Sequence, residues 1–295
     1  MKAKKKSTIL RGMTRDGSAR ILVINSKELV NDMLKTHKTA PTATAAMGRL
    51  VSAASMIGTL LPEKGDTLTI QTSTNGEISS MIAVADYFGN VKGYLSGANA
   101  DPPRKPNGKL DVSAAVGEGY LAVIKDVGGK QPQSGTTEIV SGEIAEDLAA
   151  YFAKSEQVPT LLSLGVLIDT DYTCKAAGGV LVQLMPFPDD ETVDLLERNA
   201  SALGSISSLF AEGKTNEEIA EIALRDIPYD IFDTLEVEYK CDCSRTRFKK
   251  KMKSLGTKKL KELFDEQEAQ EGTRCLSAVC RFCGKSYTFV ESDLM

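Results

Sequence analysis

Hydrophobic spacing changes character several times along the chain. Ala19 to Asn25 (ARILVIN) is rich in β-branched residues and predicts a strand, after which Ser26 can open a helix carrying Leu29, Met33 and Leu34. From Thr42 to Leu61, residues Ala45, Ala46, Met47, Leu50, Val51, Ala54, Ile57 and Leu61 recur at helical spacing, and Arg49 is the single charge. A helix apolar on most of its faces belongs inside a core. From Asp66 to Leu95 the period falls to two. Leu68 and Ile70 alternate with Thr67, Thr69 and Gln71, Asn75-Gly76 marks a hairpin, Ile78 to Ala85 returns, and Val91 to Leu95 follows a second turn at Gly89-Asn90. This is an antiparallel meander. Asn99 to Gly108, with three prolines, reads as a loop, and Gly117 to Val127 as a further strand. Ser141 can cap a helix reaching Gln157 and stopped by Pro159, before strands at Leu164 to Ile168 and Gly179 to Leu184.

Beyond Pro186 and Pro188 the pattern becomes helical: Glu191 to Asn199, Ile206 to Glu212, and a helix opened by the capping box Thr215-Asn216-Glu217-Glu218 and ending before Pro228. Helices this short need a neighbour to dock on, which makes Asp189 to Thr234 a conditional element. Leu235, Val237 and Tyr239 then predict a strand that delivers Cys241. Ser244 can cap a helix with Phe248, Met252 and Leu255, and Thr257 another with Leu260, Leu263 and Phe264. Asp265 to Gly272 reads as a polar loop, and Tyr287 and Phe289 lie on a last strand. The expected fold is α+β: an N-terminal antiparallel-sheet domain with packed helices (1–186), a helical linker (187–234) and a small C-terminal four-cysteine zinc domain (235–295).

With 295 residues, 42% apolar and 26% charged, the chain can bury a core and reads as globular. The lysine-rich lead Met1 to Ser7 runs into Thr8-Ile9-Leu10-Arg11-Gly12 with no apolar h-region or cleavage site. No apolar run approaches the ~20 residues a membrane span requires. These features point to the cytoplasm and away from a membrane partner. A formal charge of −4 gives no general bias toward nucleic acid. Six cysteines in a reducing compartment point to metal ligation or redox sensing.

Four of them form two close pairs, Cys241-x-Cys243 and Cys280-x-x-Cys283, the pattern of a closed tetrathiolate site for one Zn²⁺. Four thiolates leave no coordination position for an activated water, so metal-assisted hydrolysis is disfavoured and the chain does not read as an enzyme. A tail with so few large apolar side chains needs a staple, and metal can supply it. The same sulfurs are also potential disulfides, Cys280 with Cys283 comfortably and Cys241 with Cys243 in a tighter ring, and oxidation would remove the ligands. Spacing does not decide between this switch and a purely structural zinc knuckle. Cys275 could replace a ligand through a C-x4-C spacing, although Phe282 and Gly284 favour Cys280 with Cys283. Cys174 reads as a small buried side chain, and His37, the sole histidine, as a structural or surface residue.

The basic run from Arg245 to Lys261 could meet nucleic-acid phosphates, but no aromatic stacking pattern accompanies it and a solvated helix face accounts for it as well. A zinc-containing RNA-associated factor is therefore one alternative. A thiol–disulfide oxidoreductase using Cys280 and Cys283 is another, without a thioredoxin-like βαβ context to support it.

The chain resembles the 33 kDa redox-regulated heat-shock chaperone (HslO) family over essentially its whole length. The resemblance rests on Pro41-Thr42-Ala43-Thr44-Ala45-Ala46-Met47-Gly48-Arg49, Gly108-Lys109-Leu110-Asp111-Val112, Val140 to Leu148, Ser155-Glu156-Gln157-Val158-Pro159, Ala177-Gly178-Gly179 and both cysteine pairs. It implies a holdase chaperone, inactive when reduced and zinc-bound. On oxidation, disulfides Cys241–Cys243 and Cys280–Cys283 would form, zinc would leave, and switch and linker would unfold to bind unfolding client proteins without ATP, as a homodimer. Cys241, Cys243, Cys280 and Cys283 are then both ligands and sensors. The stretch between the pairs is longer than the family usually has, and Cys275 falls inside it.

Overall fold

A computed structural model describes residues 6–128 and 131–295; the lysine-rich lead expected at the N-terminus lies outside them up to residue 5. Two compact units result, Met1–Lys240 and Cys241–Met295.

In chain order the first unit contains β1 (Ser7–Thr14), β2 (Ala19–Asn25), α1 (Lys27–His37), α2 (Pro41–Gly58), β3 (Thr67–Thr74), β4 (Ser80–Asp86), β5 (Val91–Ser96), α3 (Val112–Val116), β6 (Gly119–Asp126), β7 (Gln133–Glu138), α4 (Ala145–Tyr151), β8 (Thr160–Ile168), β9 (Cys174–Leu184), α5 (Asp190–Leu203), α6 (Ile206–Ala211), α7 (Asn216–Ala223) and β10 (Tyr229–Val237). The strands form two five-stranded antiparallel sheets, ordered β10-β1-β2-β9-β8 and β5-β4-β3-β6-β7. Helix α2 packs on both sheets, and Met47, Leu50, Val51, Ala54 and Met56 are completely buried, as its sequence, charged only at Arg49, predicts. The α+β class and the antiparallel meander β3-β4-β5 are as expected.

Several elements of the first unit depart from the sequence expectation. The helix expected to start at Ser141 starts after Ile144, because the buried carboxylate of Asp147 folds back onto the preceding loop. Its Oδ1 accepts from the N–H groups of Val140, Ser141 and Gly142, and its Oδ2 from that of Ile144. Four backbone donors depend on one buried side chain. Asp147→Ala is expected to lower the unfolding free energy by about 3–5 kcal/mol, measured by denaturant titration, with Ser141→Ala costing far less. Next, the strand expected from Leu235 begins at Tyr229 and pairs with β1 along its length, pinned by Arg11 on Asp233 (2.5 Å) and Arg15 on Asp230 (3.1 Å). The C-terminal compact unit spans Cys241–Met295. Finally, strand β1 forms from Ser7 onward, where the sequence predicts no element, with Ile9 and Leu10 fully buried on its two faces.

Helices α5 to α7 form a layer over one face of the first sheet. Leu10, Ile21, Val23, Ala176, Val180 and Val182 from the sheet meet Leu196, Leu203, Ile206, Phe210, Ile219 and Ala223 from the helices in a hydrophobic cluster distinct from the α2 core. The capping box at Thr215 forms as predicted: Glu218 N–H donates to the Thr215 hydroxyl (3.2 Å) and Thr215 N–H to the Glu218 carboxylate (2.8 Å). The layer seats closely because Gly165 of β8 and Gly178 of β9, paired across the ladder, leave a trough that Ser207 and the ring of Phe210 fill.

The second unit contains α8 (Arg245–Lys253), α9 (Thr257–Glu271), the hairpin β11 (Cys275–Val279) and β12 (Ser286–Val290), and α10 (Glu291–Leu294). Its buried apolar cluster consists of Leu260, Phe264, Leu276, Phe289 and Leu294. The expected loop at Asp265 to Gly272 is instead the continuation of α9, which stays helical to Glu271 and ends on Gly272 at φ 66°. Arg274 braces that end through Asp265 (2.9 Å), Glu268 (2.5 Å) and Glu291 (2.7 Å).

Candidate metal centre

The second cysteine pair occupies the turn between β11 and β12. Cys280 N–H donates to Lys285 O (2.9 Å) and Gly284 N–H to Cys280 O (2.8 Å), while Gly284 takes φ +71°, a left-handed conformation that glycine adopts without a Cβ clash. This tight turn brings both thiols to one side. The first pair arrives on the extended segment before α8, whose first turn is capped by the Ser244 hydroxyl accepting from Arg247 N–H (3.3 Å).

The four sulfurs lie within 4.8 Å of one another. Two close separations run between the pairs, 3.7 Å from Cys241 to Cys280 and 3.3 Å from Cys243 to Cys283. A tetrahedron of thiolates around Zn²⁺ at about 2.3 Å has sulfur–sulfur edges of ~3.8 Å, so this donor set fits such an ion in both softness and spacing. Four cysteines gathered in this way could bind a metal ion. Cys275 lies outside the cluster: it stands opposite Val290 at the far end of β11, about 16 Å of strand from Cys280. Cys174 is buried in the first unit, where burial pushes its thiol up to about 12, and His37 bonds through Nε2 to the Tyr239 hydroxyl (2.8 Å); both have the structural character their isolation suggested.

Tyr287 is the site residue that spacing did not reveal. Its hydroxyl is 3.2 Å from Cys243 Sγ and 3.2 Å from the Cys243 carbonyl oxygen, and its ring lies against Phe248 of α8 with centroids 5.0 Å apart. Burial pushes the thiols of Cys241 and Cys283 above the ordinary range. At Cys243 burial acts the same way, but the Tyr287 hydroxyl and the neighbouring thiols outweigh it and bring the group down to about 7. The hydrogen bond to Cys243 raises Tyr287 in turn to about 12. Arg245 closes the other side, lying 4.7 Å over the Phe289 ring and paired with Asp293 (2.7 Å). Arg245 and Arg247 are each committed to a carboxylate, Asp293 and Asp242, so two cations of the basic run already have partners.

Fold and site together define a two-sheet α+β protein carrying a tetrathiol metal-binding module. The sequence profile of the Hsp33 protein family matches residues 7–290. Proteins called 33 kDa chaperonin are similar over nearly their full length: that of Clostridium beijerinckii is 40% identical over 290 residues, covering 98% of this chain and 97% of the relative. That of Clostridium botulinum strain 657 is 39% identical over 290 residues, covering 98% and 96%. The crystal structure of the 33 kDa chaperonin of Thermotoga maritima superposes with a TM-score of 0.88 at 34% identity, covering 98% of this chain and 97% of that one. The chain belongs to the Hsp33 family of chaperones. Its similar proteins are named chaperonins, a binding rather than a catalytic designation. Among the described residues no helix is long and apolar enough to cross a membrane.

Proposed function

We propose that the chain is a redox-regulated holdase of the cytoplasm, held inactive by a metal-stapled tail and released by oxidation. The observation that carries the reading is the gathering of four thiols within 4.8 Å in a unit with only a small core of its own. Cys241, Cys243, Cys280 and Cys283 are the proposed ligands of one Zn²⁺, which when bound supplies positive charge that keeps the sulfurs ionised and a cross-link between the two cysteine segments.

Each disulfide forms when two thiolates give two electrons to one peroxide, which takes up two protons and leaves as two waters; the two sulfurs bond and cease to be ligands. We assign the bonds as Cys241–Cys243 and Cys280–Cys283. The close contacts between pairs join residues 39 and 40 positions apart and persist only while the unit is folded, whereas partners within a pair stay near each other in an open chain. With its cross-link gone the tail unfolds. The loss passes along the chain through Glu238 to Lys240, bonded to Val91, into β10 and the helical layer before it. Functionally, residues 1–186 are then the permanent core, 187–234 the releasable linker and 235–295 the switch. Undocking α5 to α7 would bare Leu10, Ile21, Val23, Val180 and Val182, an apolar sheet face suited to unfolding clients, presented by a homodimer.

The test is light scattering from a thermally unfolding client. Protein treated with peroxide at mildly elevated temperature should suppress aggregation and reduced protein should not, with peptide mapping locating the two disulfides; equal activity in both forms refutes the reading. Tyr287 should set the pace. Its hydroxyl draws charge from Cys243 Sγ, so Tyr287→Phe is expected to leave metal content unchanged and to speed peroxide-driven thiol loss several-fold, followed by thiol titration against time.

A further inference from the structure

Among the described residues, strand β8 is an edge of the first sheet, bonded to β9 alone. Its sequence, TLLSLGVLI, contains no charge and no proline, the residues that usually protect an exposed edge from pairing with another chain. This edge faces a cleft of about 740 Å³. Seven consecutive residues, Leu162 to Ile168, line it. Successive side chains of a strand point to opposite faces, so an unbroken run can line one cleft only if the strand presents its backbone edge to it.

The cleft is also cationic. Arg49, Arg104, Lys105 and Lys109 line it together with Glu143 and Glu146. Glu143 is already engaged by Arg49 and by Lys105 (2.5 Å). The Nε of Arg49, the one charge on α2, is buried without a hydrogen-bond partner among the described residues. Arg104 and Lys109 are exposed. A ligand here meets backbone donors and acceptors of β8 that have no ladder partner among the described residues, together with surplus positive charge.

We propose that this cleft binds an extended polypeptide segment that adds to β8 as a sixth strand, alternating apolar side chains with acidic ones that face Arg49, Lys105 and the 104–109 loop. The run Leu162 to Ile168 spans roughly 20 Å, enough for about six residues of such a segment. The proposal rests on the holdase reading for the identity of the ligand, as part of an unfolding client. It adds a directional, backbone-reading edge to the apolar face beneath α5 to α7. The two surfaces adjoin, because Gly204 to Ser208, at the start of α6, also line the cleft while Ile206 belongs to the cluster under the layer.

The edge is tested in the reduced, metal-loaded protein, where the apolar face remains covered. A fluorescent peptide of about eight residues alternating valine and glutamate is titrated by anisotropy, alongside two analogues N-methylated on alternate residues in opposite phase and a third with lysine replacing glutamate. The parent should bind. N-methylation in one phase should weaken binding about tenfold and in the other have little effect, because only one edge of an added strand donates to β8. The lysine peptide should bind at least ~10-fold more weakly than the parent, and the double variant Arg104→Glu/Lys109→Glu should erase that preference. No binding of the parent, equal binding of both N-methylated analogues, or indifference to peptide charge overturns the proposal. Client protection is measured separately in the oxidised protein: protection without peptide binding removes the edge site alone, and peptide binding without protection removes the redox reading alone.

Discussion

Stripping metal from the reduced protein will unfold residues 241–295 and leave the sheets around α2 folded. The C-terminal unit buries Leu260, Phe264, Leu276, Phe289 and Leu294 and little else of large apolar character, and α8 has no buried residue. Domains this small rarely hold together on packing alone. Zinc bound by four thiolates contributes about 10–16 kcal/mol in comparable small modules, at least as much as the roughly 8–15 kcal/mol from burying five such side chains, and that burial is already offset by the entropy of ordering the chain. Within the first unit, the sheets packed around α2 have their own extensive core, which does not depend on that ion. Chelation under reducing conditions should therefore abolish amide-exchange protection in α9 and β11–β12 while β2, β3, β4 and β9 stay protected. Cys283→Ser should reproduce the effect without chelator. Retained protection in α9 after complete metal removal would show that the unit is held by something else.

The second large effect is expected from adding a single side chain in the first unit. A Cβ on Gly165 would come within 2.5 Å of the backbone nitrogen of Ser207 and 3.0 Å of its Cβ, with no other contact closer than 3.1 Å. Everything it meets belongs to the start of α6. A helix of six residues has little stability away from its neighbour, and overpacking of this kind costs about 1–3 kcal/mol, so Gly165→Val should lift α6 off the sheet. The variant should bind an apolar dye and suppress client aggregation while reduced, with its metal content unchanged. The paired Gly178 is a poorer choice, because a Cβ there also meets Ile24 O of the neighbouring strand at 2.3 Å and would disturb the sheet itself. A reduced Gly165→Val protein that stays silent to dye and client would show that exposure of this face is not what activates the chaperone.

What could be read from the residues follows from where each signal resides. Helix α2, the hairpin at Asn75-Gly76 and the capping box at Thr215 are local patterns, visible within one stretch of chain. The thiol pairs are equally local, and their spacing led directly to the cluster. Elements with polar sequences escaped detection. Strand β7 reads QSGTTE with no apolar alternation and exists because it pairs with β6, and α9 continues through Asp265 to Glu271 because its exposed face needs no hydrophobic residue once Leu260 and Phe264 anchor it. In β10 the aspartates that obscured a strand are the partners of Arg11 and Arg15 more than two hundred residues earlier. Separation along the chain likewise hid Tyr287 behind Cys243 and kept Arg49, Lys105 and Glu143 from looking like one cationic wall.

The most direct measurement is a single peroxide titration of the reduced, zinc-loaded protein in which released metal, amide protection in α9 and in α5 to α7, and client protection are read from the same samples. The account predicts that metal release and loss of protection in 241–295 coincide, that α5 to α7 open with them or just after, and that client protection rises in step with that opening. Full client protection while the four sulfurs still hold the metal and α9 remains protected would contradict it.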